Sequence, residues 1–96
     1  MGPICLRKAN IQDVPAIHGL LMQNSQLGLL LPRSYSDLYS HLRDFFVLDV
    51  SHEKAILGCC ALSITWKNLA EIRSLVVATS LERQGWGRRL VETSLS

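Results

Sequence analysis

The sequence predicts one α+β domain, and three observations predict it. Apolar runs over 45–50, 55–66 and 70–77 are joined by short polar turns, the pattern of an antiparallel meander. Two helix-like stretches separate that meander from a first strand at 4–8. After the last strand comes a glycine loop, Arg83-Gln84-Gly85-Trp86-Gly87, leading into a final helix. The predicted order is β-α-α-β-β-β-α, with no internal repeats and no low-complexity segments.

Each element has a local reason. Ile4 to Lys8 is short and strand-like. Asn10-Ile11-Gln12-Asp13 opens the first helix, where Asp13 can cap and Pro15 sits in the first turn. Val14, Ile17, Leu20 and Leu21 recur at helical spacing and give one apolar face. Gly28 and the run to Pro32 break it, since proline disfavours helix at the residue before it. Ser34 begins a second helix, with Asp37 as its capping partner and Leu38 and Leu42 as its buried stripe. Ser51 to Lys54 and Lys67-Asn68 are the turns of the meander, and Leu90, Val91 and Leu95 give the last helix its apolar face.

Composition narrows the function classes. A chain of 96 residues suits one domain, not a multidomain enzyme. Apolar residues at 48% and a net charge of +2 exclude a disordered chain. An isoelectric point near 8.6 is too mild to imply nucleic acid. Three cysteines make no disulfide framework, and no spacing such as C-x-x-C suggests a metal site, so none is expected. Adjacent Cys59 and Cys60 should point to opposite sheet faces as small apolar residues. With no leader-like start and no apolar run long enough for a membrane, the expected location is a reducing cytoplasm. The mean hydropathy of +0.18 is high for so small a chain and suggests apolar surface available to a partner.

Three features carry chemistry. The first is the strand Ile72 to Val77, the loop with Gly85 and Gly87, and the following Arg88-Arg89. Glycines allow close backbone approach, and free amides at a helix start favour an anion, so the pattern reads as a phosphate cradle. It is neither a Walker loop nor a dinucleotide fingerprint. A plain turn with solvated arginines is the alternative. The second is Glu71, placed by a two-residue period on a face with Arg73, Leu75 and Val77, opposite Ile72, Ser74 and Val76. Partial burial there would suit a general base, and an ion pair with Arg73 is the alternative. The third is Arg33, before a helix, which could clamp a carboxylate in two-pronged fashion or simply lie exposed in a loop.

Together these pieces resemble the GNAT superfamily of N-acetyltransferases over nearly the whole chain. The resemblance rests on Arg7-Lys8-Ala9, Asp13-Val14-Pro15-Ala16-Ile17, Gly58-Cys59-Cys60-Ala61-Leu62, the strand from Ala70 to Val77, and Gln84-Gly85-Trp86-Gly87-Arg88-Arg89-Leu90. Leu30-Leu31-Pro32-Arg33-Ser34 and the phrase from Trp66 to Ser74 point within it to the N-acetylglutamate synthase group.

The resemblance implies acetyl-CoA as cosubstrate and acetyl transfer to the α-amine of a glutamate-like amino acid, as in arginine biosynthesis. It puts the thioester and pantetheine arm on backbone groups of Leu75, Val76 and Val77, one amide there stabilising an oxyanion. It puts the pyrophosphate on amides of Arg83, Gln84, Gly85, Trp86, Gly87 and Arg88, and the general base at Glu71. Leu31 and Arg33 match positions that meet the amino-acid substrate, and Cys59 matches a backbone contact to it.

Two departures stand out. Glu82 occupies the usual Gln/Arg position of the loop, and Arg83 a position often held by glycine. The chain also stops in the helix after the loop, where the superfamily continues through further strands and a helix. One truncated domain over 1–96 is therefore expected, associating with itself through an open sheet edge, with no nucleic-acid or membrane partner. A non-catalytic CoA-binding remnant and an oligomerising interaction module are the rival readings.

Overall fold

The computed structural model describes residues 3–26, 33–50, 55–64 and 69–95. Four strands, β1 (Ile4–Lys8), β2 (Phe45–Val50), β3 (Ala55–Ile64) and β4 (Ala70–Val77), form one antiparallel sheet in the order β1-β2-β3-β4. Helices α1 (Val14–Gln26) and α2 (Tyr35–Ser40) separate β1 from β2, and α3 (Trp86–Leu95) follows β4. Short 3-10 turns precede α1, β2 and the glycine loop. The predicted order and antiparallel meander are those observed. The expected break from Gly28 to Pro32 with Leu31, the turns at 51–54 and 67–68, and Thr65 and Trp66 of the 55–66 run lie outside the described residues.

The sheet has a core on each side. Val14, Ile17 and Leu21 of α1 and Leu38 of α2 pack with Phe45, Val47, Cys59, Ala61 and Val76. On the other side, Leu90 of α3 and Leu81 pack with Leu48 and Cys60. Cys59 and Cys60 thus enter opposite cores, as strand alternation requires.

Two expectations are corrected at the helices. Asn10, not Asp13, accepts the capping hydrogen bond, and Asp13 closes a capping box by receiving the Asn10 amide at 2.8 Å. Leu95 is 56% exposed, and Ser94 is buried in its place. A step of four from Leu90 returns to the same helix face, whereas a step of five turns away from it. The Ser94 hydroxyl is satisfied by the Leu90 carbonyl at 2.8 Å.

Asp13 has a further task. Arg7 grips it with two nitrogens, at 2.7 and 3.0 Å, and reaches Asp49 with Nε at 3.1 Å. This ties β1 to the 3-10 turn before α1 and to β2, and the paired Arg7 guanidinium holds the Asp13 carboxyl below the usual carboxylate range. A lowered folded pKa gives stability that is present above the unfolded value near 4 and lost as pH falls through the folded value. Acid titration followed by circular dichroism should show this loss below about pH 4, and Asp13→Asn should remove the part of that pH dependence that Asp13 carries. An unchanged acid transition in the variant would contradict the assignment.

Candidate functional site

The site is built on β4, which pairs with β3 on one side and has no strand on the other among the described residues. Its register is broken. Cys59 stands opposite Val76 and Ala61 opposite Arg73, so Ser74 and Leu75 together face Cys60. This is a β-bulge, and Ser74 adopts φ +55° within it. The expected alternation of β4 is therefore corrected. Ile72 packs with Val77 on the α3 side, while Val76 enters the core beneath α1. Glu71 shares a face with Arg73 but not with Val77. The inserted residue reverses the pleat midway along the strand.

Around the bulge the chain gathers polar groups from distant positions. The buried Cys59 thiol donates to the Ser74 carbonyl at 3.3 Å. Burial pushes that thiol up to about 12, which keeps it neutral near pH 7. Cys59 is thus poorly suited to be a nucleophile, and its expected role through the backbone remains compatible with its place on β3. Arg33 crosses from the start of α2 to the bulge, donating from Nη1 to the Ser74 hydroxyl at 2.9 Å and from Nε to Asp37. Its guanidinium carbon lies 5.1 Å from the Phe45 ring centroid. With a side chain 18% exposed, Arg33 is not a free loop arginine. Its guanidinium holds the Asp37 carboxyl below the usual range.

Glu71 lies three residues before the bulge. Its side chain is 48% exposed, and Arg73 donates to Oε2 at 3.1 Å. The expected partial burial is thus absent, because Glu71 precedes the part of β4 that α1 covers. The ion pair weighed in the sequence is present.

Beyond β4, Ala78 hydrogen-bonds back to Leu57 at 2.7 Å and leads into the turn Thr79–Leu81. The loop then makes two left-handed steps, Arg83 at φ +64° and Gly85 at φ +84°. The second is where a glycine is needed, since any side chain there is strained. Arg83 holds a similar conformation in spite of its side chain, at the position the resemblance marks as often glycine. The first helical hydrogen bond runs from Arg89 to Gly85 at 3.1 Å. The amides of residues 83–88 find no acceptor among the described residues, leaving a row of donors at the positive end of α3. The arginines contribute less than their number suggests. Arg88 pairs with Glu92 at 2.7 Å, and Arg89 lies 4.3 Å over the Trp86 ring. The loop's donors are therefore mainly backbone amides rather than arginine side chains.

A bulged edge strand running into an amide-lined loop and helix defines the site of this α+β domain. Comparison with known proteins makes this specific. The model of the "Acetyltransferase (GNAT) family" matches residues 15–96, and the chain belongs to that family. An uncharacterised N-acetyltransferase of Chlorobaculum tepidum is 40% identical over 92% of this chain and 56% of its own. An amino-acid acetyltransferase of Mycobacterium tuberculosis is 32% identical over 94% of this chain and 52% of its own. The structure of N-acetylglutamate synthase from Neisseria gonorrhoeae, complexed with coenzyme A and N-acetyl-glutamate, superposes with a TM-score of 0.86. It is 29% identical and covers 99% of this chain, which spans 22% of that one. The chain thus spans about half the length of the two curated relatives.

Sequence reasoning missed Ser74, which its place inside an apolar strand disguised, and the fixing of Arg33 by Asp37 and Ser74. It also missed the Arg7 cluster with Asp13 and Asp49.

Proposed function

We propose that this chain is the cofactor-binding portion of an N-acetyltransferase that moves the acetyl group of acetyl-CoA to the α-amine of a glutamate-like amino acid, an arginine-biosynthesis type of reaction. The observation that carries this is the row of amides over 83–88 without an acceptor, beside the edge of β4 without a partner strand, both among the described residues. In the proposed complex the amides of Arg83, Gln84, Gly85, Trp86, Gly87 and Arg88 hold the pyrophosphate, and the edge groups of Leu75, Val76 and Val77 hold the pantetheine arm. Acetyl-CoA supplies an activated acyl group whose carbonyl a neutral amine attacks; the C–N bond forms, the C–S bond breaks, and CoA leaves as a thiolate that takes up the proton the new amide nitrogen loses. Glu71 takes the proton that frees the amine, directly or through water. Arg33 binds a substrate carboxylate, and Cys59 contributes a backbone contact. Leu31, outside the described residues, completes the substrate side.

The exposed apolar residues Ile64, Leu69 and Leu75 near the β4 edge support a second reading, in which copies of the chain associate there. A glycine substitution separates the two. A Cβ at Gly87 meets only Val77 Cγ2 at 3.7 Å, so the fold has room for a side chain there, whereas one at Gly85 would be strained by φ +84°. Gly87→Val should therefore abolish acetyl-CoA binding in calorimetric titration, while self-association measured by sedimentation stays as in the parent. Undiminished acetyl-CoA binding in Gly87→Val would sink the proposed cradle, and association that CoA does not alter would favour the second reading.

A further inference from the structure

The bulge of β4 gives Ser74 a place that the sequence does not announce. Ser74 sits at φ +55°, a conformation that glycine takes without strain, yet this position carries a hydroxyl. That hydroxyl accepts Arg33 Nη1 at 2.9 Å across 41 residues of chain. The Ser74 carbonyl is separately engaged by the Cys59 thiol at 3.3 Å, which anchors the bulge to the strand beside it. Asp37 takes Arg33 Nε, and the Phe45 ring lies 5.1 Å from the guanidinium carbon. Three neighbours from α2, β2 and β4 therefore fix one guanidinium plane. Nη2 has no partner among the described residues.

We propose that Ser74 is a positioning residue that, from the β4 bulge, fixes the Arg33 guanidinium so that Nη2 is left to take one oxygen of the acceptor's carboxylate. This rests on the reading of Arg33 as a substrate clamp, and it sharpens that reading. With Nε on Asp37 and Nη1 on the Ser74 hydroxyl, Nη2 is the guanidinium nitrogen whose donors meet no partner among the described residues, and it is the one presented to a carboxylate. The Asp37 partner also offsets the positive charge, so recognition depends on direction more than on net attraction. Orientation is what Ser74 supplies.

The test uses this chain with L-glutamate as probe, beside its two carboxamides, L-glutamine and isoglutamine. Ser74→Gly deletes the hydroxyl and suits the backbone, whereas Ser74→Ala deletes it and keeps the strain. Both should weaken L-glutamate binding about 5–10-fold in the presence of CoA, and the preference for glutamate over one of its carboxamides should shrink equally. Affinity for CoA should not change. Arg33 side-chain nitrogen NMR gives a readout that needs no acceptor, since loss of the hydroxyl should speed guanidinium rotation. Wild-type glutamate affinity in Ser74→Gly, with Arg33→Ala impaired, overturns the role of Ser74 alone. Unimpaired binding in Arg33→Ala overturns the clamp and the proposal with it. If the parent chain does not hold glutamate, the NMR decides: unchanged Arg33 motion in Ser74→Gly overturns the proposal, and faster motion supports it.

Discussion

Gly58→Val should be among the most destabilising single substitutions in this chain. Gly58 is buried on β3, opposite Leu48, beside the irregularity where Leu48 and Asp49 pair with Gly58 and Ile56. A Cβ there would lie 2.7 Å from Leu48 Cδ1, 3.2 Å from Leu48 Cγ and 3.1 Å from the Val76 carbonyl oxygen. The first atom ends a flexible side chain, but Leu48 is fully buried in the α3-side core and has little room to turn. The oxygen belongs to the backbone of β4, so relief requires the two strands to part beside the proposed pantetheine edge. Overpacking of this kind costs about 1–3 kcal/mol, so alanine should fall in that range and valine at its upper end or beyond. In a domain of this size each kcal/mol lowers Tm by about 4–8 °C. Adding Leu48→Val to Gly58→Ala removes the closest atom and should restore part of the loss, since contacting residues couple. A Gly58→Ala protein that melts with the parent would refute the clash.

How far the sequence reveals this structure depends on the range of the cause. Strand limits at Ile4–Lys8, Phe45–Val50 and Ala70–Val77 were readable because apolar runs and polar turns are local signals. The cap of α2 was readable for the same reason, with Ser34 accepting the Asp37 amide at 3.0 Å. The bulge was not. Ile72-Arg73-Ser74-Leu75-Val76-Val77 can be threaded on a regular pleat, and only pairing with β3 shows that two of its residues face one partner. That hidden insertion decides which core Val76 enters and where Ser74 meets Arg33. Arg7 shows the same limit. Its partners Asp13 and Asp49 lie six and 42 residues away, and only the second depends on how β1 and β2 register. Within the glycine loop, local rules marked Gly85 and Gly87 as places for close backbone approach, and the structure shows that Gly85 takes φ +84°. The same rules overvalued the arginines, because Glu92 and Trp86 are found by Arg88 and Arg89 only once the helix has formed.

Glu71→Gln should slow acetyl transfer by roughly 10²–10⁴-fold if Glu71 is the general base, with the fold and CoA affinity intact. The expectation of an intact fold follows from exposure: the side chain is 48% exposed, and its salt bridge to Arg73 is a surface pair of little stability value. Glutamine keeps the shape and an acceptor oxygen for Arg73 but cannot take up the ammonium proton. The position suits the task, because Glu71 lies on the same strand as the edge proposed for the thioester and a few residues before the bulge that holds Arg33. Arg73→Ala is the informative companion. It removes the ion-pair partner, and a base that only needs to be present should survive it with a small change in rate. A carboxylate whose sole purpose is pairing predicts the reverse, with both variants nearly neutral for turnover. Free-thiol release with L-glutamate, run beside an acetyl-CoA titration of each variant, separates lost chemistry from lost binding. A Glu71→Gln rate within about threefold of the parent would leave the carboxylate as a surface ion pair and move the search for the base elsewhere on this face of β4.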